Sequence, residues 1–497
     1  MILIRMPVVT PDMTEPRLND PVSASGRQVR PGSLVFRRGV LLMLLTLVLP
    51  GSAQLVAGRK QTGRIALRIW FGLIATVALL FVLSMAFDSF VFWFLSNTFV
   101  LGVVRIVLML MAAGWVFLFI DAWRIADPLA MQRGQRLAMV GINGVLCFSV
   151  AGSLLFASHV VGVQKDFLSS MFGSGRVSAA HDGRYNVLLL GGDSGSDRWG
   201  LRPDSISVAS IDENTGKTVL FGLPRNMLNF PFAKGSIMAK QFPHGYRCGI
   251  TCELNSLVTY TLNHKDLFKG VANPGVEATK EAVEGITGLK INYYAMVNLA
   301  GFQKLVDAVG GVKLRVRDPI PIGGIGHAIT GYIKPGYRKL NGFQTLWFAR
   351  SRVAADDYSR MARQKCVMDA MLHQLSPQTV VLKFDSIAKA SQALITTDIP
   401  GSEVDTFMQL ALKARSLPVR TVSFVPPMVD TSHPDVAGIK ATVTRSIKTS
   451  EGKKTAKAKT KATPSTPVST QTNGGGSIGN MRQGYAANQA DDLSSVC

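Results

Sequence analysis

Three long apolar runs in the first third of the chain constrain its fold more than any other feature. A stretch of about 20 apolar residues is long enough for a helix to cross a bilayer, and these runs occupy residues 65–86, 100–120 and 137–161. An earlier run, 40–57, is interrupted by Leu49-Pro50-Gly51-Ser52-Ala53-Gln54. It is basic on both flanks, with Arg37 and Arg38 before it and Arg59, Lys60 and Arg64 after it. Basic residues favour the cytoplasmic side, so a re-entrant hairpin or short helix is expected there rather than a crossing. Residues 87–99 carry Asp88 and no Lys or Arg, whereas 121–136 carry Arg124, Arg133 and Arg136. The expected order is therefore a cytoplasmic tail over 1–36 and a membrane region over 37–162 with three crossings. Everything beyond lies outside the cytoplasm, making a multi-pass cell-membrane protein with an extracytoplasmic C-terminus. The first 35 residues are polar and lack the short apolar core of a cleavable signal peptide.

The formal net charge of +22 would suit a nucleic-acid binder, but its distribution argues otherwise. The basic residues flank apolar segments, fill a Lys-rich tail, or recur as Arg at short spacings, and no nucleic-acid-binding motif accompanies them. Nucleic acid is not an expected partner. Of five cysteines, Cys147 falls in an apolar run and reads as a small packed hydrophobe. Cys248 and Cys252 lack the two further ligands of a zinc site and read as a short disulfide. Cys366 and Cys497 are left open, as free thiols or as a pair.

From Tyr185 strands alternate with helices. Tyr185-Asn186-Val187-Leu188-Leu189-Leu190 is a continuous apolar strand, as expected of one buried on both faces. Strands are predicted over 204–211, 218–223, 293–297 and 312–316, and helices over 277–286, 299–309, 343–352 and 360–375. This alternation predicts an α/β fold, an α/β/α layered domain with its core over 185–375. Further elements over 380–384, 403–414 and 421–425 extend it through 376–448. Residues 449–497, rich in Lys, Thr, Ser, Pro and Gly, are expected to form a disordered tail.

Four clusters could carry chemistry. Gly191-Gly192-Asp193 ends the apolar strand, and Arg202-Pro203-Asp204 opens the next. Asp193 and Asp204 would then stand at one sheet edge, close enough to share Mg²⁺, a hard ion needing only one or two carboxylates when phosphate oxygens complete its shell. Pro224-Arg225-Asn226 follows another strand. Ala349-Arg350-Ser351-Arg352 precedes Asp356-Asp357 and Arg360-Met361-Ala362-Arg363-Gln364. Arg202, Arg225, Arg350, Arg352, Arg360 and Arg363 all fall near element ends. Such a set suits a pyrophosphate, because each guanidinium is a planar fork that grips phosphate through two bonds.

In order, Leu188-Leu189-Leu190-Gly191-Gly192-Asp193, Arg202-Pro203-Asp204-Ser205, Leu223-Pro224-Arg225, Ala308-Val309-Gly310-Gly311-Val312, Leu340-Asn341-Gly342, Ala349-Arg350-Ser351-Arg352 and Asp357…Arg360…Arg363-Gln364 resemble the LytR-CpsA-Psr family, in a Gram-positive, actinobacterium-like form. The resemblance covers about residues 185 to 375. It implies a pocket for a polyprenyl chain and a basic mouth for its pyrophosphate, with Mg²⁺ near Asp193 and Asp204. It also implies transfer of a polyprenyl-pyrophosphate-linked glycopolymer to peptidoglycan outside the cell, from a lipid in the membrane. Asp193, Asp204 and Arg225 are the expected catalytic residues. Arg202, Arg225, Arg350, Arg352, Arg360, Arg363 and Gln364 are the expected pyrophosphate ligands. Two positions depart from the family pattern: Asn226 where Asp is usual, and Ser194 where Arg is common. Hydrolysis of the same lipid, or its non-catalytic binding by a sensor or scaffold, are the competing readings.

Overall fold

A helix that is apolar on every side requires an apolar surrounding. The structure, a computed structural model, describes residues 32–86, 90, 93–94, 97–172, 177–193, 202–324, 328–353, 356–374, 395–452 and 485–497. All three expected runs lie in long helices, Lys60–Ala86, Thr98–Ile125 and Arg133–Met171. The first two, and the Arg133–Asp166 part of the third, are long and apolar enough to cross a membrane. Phe71, Phe81, Leu110 and Phe148 stand exposed along them.

The chain divides into two compact units. One takes the chain up to Ala75 together with Ala112–Ser153, and the other Thr76–Met111 with Leu154–Cys497. In the first unit the helix Gly32–Val48 turns back at Gly51 (φ +95°) into the short helix Ser52–Val56. A Cβ at Gly51 would lie 2.7 Å from the Gly63 carbonyl oxygen, so only glycine permits this close crossing. Gln54 donates to the Leu118 carbonyl at 3.1 Å, and Arg59 pairs with Asp121.

In the second unit, the apolar run becomes β1 (Arg184–Asp193), an inner strand of a seven-stranded sheet. Its other strands are β2 (Arg202–Asp212), β3 (Thr218–Leu223), β4 (Tyr293–Asn298), β9 (Ile395–Thr397), β10 (Arg420–Ser423) and β11 (Gln489–Ala490), in the order β11-β10-β3-β2-β1-β4-β9. The β1–β2 and β2–β3 pairs are antiparallel, and the β1–β4 and β3–β10 pairs are parallel. Leu188, Ile206, Val208 and Phe221 pack on one face with Ala282 and Ile286 of the helix Pro274–Thr287 and Ile439 of the helix Val436–Ser450. That first helix opens on Pro274 and ends at Gly288 (φ +77°), residue types favoured at those two positions. Leu220 and Leu189 belong to a cluster on the other face with Ala362 and Cys366 of the helix Asp357–Gln374. The helices Leu299–Ala308 and Gly342–Arg350 join it there around an apolar cavity. Two small ribbons complete the domain, β5 (Val312–Val316) with β8 (Gly336–Leu340), and β6 (Ile320–Ile322) with β7 (Gly331–Ile333). The strand expected over 380–384 lies outside the described residues.

One expectation is corrected at the end of the chain. Tyr485–Cys497 is not featureless tail but part of the domain, with β11 hydrogen-bonded to β10 at the sheet edge. Tyr485, Ala487 and Leu493 are buried against Ala362 and Cys366, and a disulfide joins Cys366 to Cys497. Averaged over 449–497, the composition hides these few apolar side chains. A short segment with an edge strand and a covalent anchor needs no core of its own. The helix Val436–Ser450 runs two residues past the expected boundary at 448.

Cys497→Ser is expected to destabilise the domain by ~2–5 kcal/mol, because the bond closes a long loop. Urea unfolding of wild type and variant without reductant measures this, and equal midpoints would refute it.

Candidate functional site

The strand β2 does not run straight into its partner. Gly191 pairs with Ser205 and Gly192 with Pro203, so Asp204 is the extra residue of a β-bulge. Bulges turn a side chain away from the regular alternation and are common beside active sites. Asp193 ends β1 opposite Arg202 in the same register, which places the two expected carboxylate positions at one sheet edge. Leu223 is the last paired residue of β3, so Arg225 continues past the sheet to that edge.

Five side chains interlock there. Arg225 Nη1 lies 2.6 Å from Asp204 Oδ1, and Arg225 Nε lies 3.5 Å from Asp357 Oδ2. Arg360 Nη2 donates to the Asp204 carbonyl at 2.8 Å and reaches Asp357 Oδ2 at 3.0 Å. Arg360 Nη1 is 3.8 Å from Asp204 Oδ2, and Arg352 Nη1 is 3.6 Å from Asp357 Oδ1. Asp357 occupies the first turn of the helix Asp357–Gln374, where the helix dipole favours a negative charge. Burial would lower the pKa of Arg225, but Asp357 and then Asp204 outweigh it and hold it above the ordinary value. Arg360 is more deeply buried, and burial lowers its pKa against the same two carboxylates.

Behind this network an apolar cavity of about 320 Å³ runs over the sheet. Leu189, Val297, Phe302, Leu305, Leu346 and Met371 line it, and Gly191, Asp204, Arg350, Arg360 and Gln364 form its polar end. Exposed Arg350 lies over the Trp347 ring, 5.2 Å from its centroid, and no carboxylate pairs with it among the described residues. Gln364 Nε2 donates to the Ala349 carbonyl at 3.3 Å, and exposed Arg202 reaches Asn255 Oδ1 at 3.3 Å. Arg225, Arg352 and Arg360 thus surround Asp204 and Asp357, and Arg350 lines the same cavity, leaving cationic charge for an anionic ligand. Among the described residues no group of three or more His, Cys, Asp or Glu comes together. A metal at this edge would depend on one or two carboxylates and on ligand oxygens, which is how Mg²⁺ is commonly held.

Arg363 corrects a second expectation. It is wholly buried, donating to the Phe348 carbonyl at 2.8 Å, the Ser359 carbonyl at 3.4 Å and the Ser351 carbonyl. Burial lowers its pKa to about 10. It braces the end of the helix Gly342–Arg350, which carries Arg350, and touches no ligand space. Cys248 and Cys252 form the expected disulfide, remote in sequence from the cavity lining. Asn226 Oδ1 is buried without a hydrogen-bond partner among the described residues.

Sequence reasoning missed Lys365. Wholly buried one residue after Gln364, it donates to Asn488 Oδ1 at 2.7 Å and to the Ser423 hydroxyl. Asn488 Nδ2 in turn donates to the Tyr358 carbonyl at 2.9 Å, tying the C-terminal segment to the helix that bears Arg360. No local signal marks a lysine as buried. Its partners come from 58 and 123 residues away.

The domain is α/β/α layered, and its apolar cavity opens on a cluster of guanidinium groups. The family model of the LytR_cpsA_psr family matches residues 162–459, more than half of the chain, and the chain belongs to that family. It is 25% identical over 271 residues to Biofilm regulatory protein A of Streptococcus mutans, covering 53% of this chain and 62% of that protein. It is 31% identical over 228 residues to the polyisoprenyl-teichoic acid–peptidoglycan teichoic acid transferase TagU of Oceanobacillus iheyensis, covering 45% and 59%. Cell wall biosynthesis protein LcpA of Corynebacterium glutamicum is 26% identical over 313 residues, covering 56% and 59%. The chain thus spans about three-fifths of the length of these relatives. Among solved structures, protein gbs0355 of Streptococcus agalactiae is similar at 23% identity and a TM-score of 0.42, over 56% of this chain and 90% of that one.

Arg363→Ala leaves three carbonyls without their donor, and a loss of ~2–4 kcal/mol is expected. Arg350→Ala, at the open mouth, should stay within ~0.5 kcal/mol of wild type. Chemical denaturation of both variants checks the contrast, which comparable losses would remove.

Burial lowers the Lys365 pKa from 10.5 to about 7. Between those values the unfolded chain binds the proton and the folded one does not, so stability rises with pH across that window and is flat below it. Lys365→Met should remove this slope. Urea midpoints at about pH 7 and about pH 10 measure it, and an unchanged slope in the variant would exclude Lys365 as its source.

Proposed function

We propose that the chain is a membrane-anchored phosphotransferase that joins a polyprenyl-pyrophosphate-linked glycopolymer to peptidoglycan through a phosphodiester bond. The observation that carries this reading is the apolar cavity ending in Arg350, Arg360 and Gln364, with Arg225 and Arg352 beside them. An isoprenoid chain fills such a cavity, and its pyrophosphate meets the guanidinium groups. The name of the TagU relative supports the substrate classes, teichoic acid and peptidoglycan. The three apolar helices support the anchor, and the distribution of Lys and Arg in the loops supports placing the domain and C-terminus outside the cytoplasm.

In this mechanism an acceptor hydroxyl of peptidoglycan attacks the sugar-side phosphorus of the lipid pyrophosphate. The bond from that phosphorus to the bridging oxygen breaks, and polyprenyl phosphate leaves. Arg350, Arg352 and Arg360 stabilise charge that grows on the leaving phosphate. Arg225 holds Asp204 in place and adds its own charge from the other side. Asp193 and Asp204 would hold Mg²⁺, which when bound stabilises negative charge on phosphate oxygens. Where only one of the two would hold the metal, the other accepts the hydroxyl proton.

The test incubates the full chain in detergent with a polyprenyl-pyrophosphate-linked saccharide, a peptidoglycan oligomer and Mg²⁺, and detects the joined product by mass spectrometry. Arg225→Ala is expected to reduce the product by a factor of ~10²–10³ at unchanged circular dichroism, as for loss of a transition-state donor. Full activity in that variant removes Arg225 from the site. Polyprenyl phosphate released without acceptor points to a hydrolase. Tight binding without any product points to a sensor or scaffold.

A further inference from the structure

The second unit holds two cations that the cavity does not use. Arg105 is the sole charged residue of the apolar run 100–120, about two turns into the helix Thr98–Ile125. A charge within a spanning helix is costly and normally finds a partner. Here the guanidinium lies across the helix Arg133–Met171 at Gly162. A Cβ there would sit 3.1 Å from the guanidinium carbon and 3.2 Å from Nη1. Lys165, one turn further along that helix, reaches back across the same seam. Its Nζ lies 3.8 Å from the place of a Cβ on Gly102. The Ser158 hydroxyl, one turn before Gly162, meets the Arg105 carbonyl at 3.4 Å. Two glycines therefore open one seam between the helices, and two cations enter it about one helical turn, ~5 Å, apart.

Among the described residues neither cation pairs with a carboxylate, and the neighbouring Asp166 is exposed. Both side chains are only partly exposed. Their depth fits the interfacial level of a bilayer: Arg105 lies near the start of its apolar run, and Lys165 lies just past the end of its own at 161. Long cationic side chains extend to that level. The niche also adjoins the α/β domain. Leu101 and Leu168 pack with Val404 of the helix Val404–Arg415, and Phe172 bridges Thr397 of β9. Thr397 pairs with Ala295, which lines the apolar cavity.

We propose that Arg105 and Lys165 form a binding site for the phosphate headgroup of a membrane lipid, seated between the two helices beside the domain. One phosphate can accept from both cations, satisfying charges that would otherwise stand unpaired next to lipid tails. Two sources share this chemistry, the polyprenyl phosphate of the proposed transfer and the bulk anionic phospholipid. The proposal rests on the membrane reading of the helices and not on catalysis.

Native mass spectrometry of the full chain in detergent, titrated with polyprenyl monophosphate, phosphatidylglycerol or phosphatidylcholine, tests it. The double variant Arg105→Gln/Lys165→Gln is expected to bind the anionic lipids roughly thirtyfold more weakly, from the usual contribution of a basic residue near a membrane surface. Lys165→Gln alone, which leaves the apolar run 137–161 intact, should weaken binding about fivefold. Gly162→Leu keeps both charges but fills the seam, and should also lose binding. Arg105→Lys should retain it. Preference for polyprenyl monophosphate that the double variant loses assigns the niche to the lipid of the reaction, and parity with phosphatidylglycerol assigns it to bulk lipid. Equal binding by wild type, the double variant and Lys165→Gln overturns the proposal, as does phosphatidylcholine binding as tightly as phosphatidylglycerol.

Discussion

The pairing of Asp204 and Asp357 with Arg225 and Arg360 holds together elements that are otherwise far apart in the chain. A β-bulge aims Asp204 out of β2, the end of β3 delivers Arg225, and the first turn of the helix Asp357–Gln374 supplies Asp357 and Arg360. Isolated guanidinium groups at such spacing would repel one another. The two carboxylates offset that repulsion and fix the geometry, while Arg350 stays available at the mouth. A basic site assembled this way is preorganised: its charges are already in place when an anionic ligand arrives, so little reorganisation is needed.

Around that network the domain separates two tasks. One face of the sheet is a filled core, with Leu188, Val208 and Phe221 against the helices Pro274–Thr287 and Val436–Ser450. The other face is left partly empty, because small residues such as Gly191, Ser207 and Ala295 floor a cavity that longer side chains would close. The helix Asp357–Gln374 stands between these demands. Its Arg360 and Gln364 face the cavity, while Lys365 and Cys366 anchor its other side to the C-terminal segment through Asn488 and Cys497. Holding the helix from behind keeps its polar groups at the cavity mouth.

The membrane segments fit the same scheme. The helices Thr98–Ile125 and Arg133–Met171 reach the domain through Leu101, Leu168 and Phe172.

Local pattern alone was enough to read the three apolar helices, the inner strand at Tyr185–Leu190 and the ordered Asp and Arg motifs. Each depends on periodicity, run length or turn chemistry within about 20 residues. Tertiary structure decided what those motifs do. Arg360 and Arg363 lie one turn apart on the same helix, yet one meets Asp204 at the site and the other is buried on three backbone carbonyls. Burial of that kind depends on which distant segment packs above each residue. The ordered end of the chain has the same origin: Tyr485, Leu493 and Cys497 look like tail by composition, but they are held by partners at Ala362, Cys366 and β10. Composition reports whether a segment can fold alone, and these residues fold only against a sheet edge and a helix already in place.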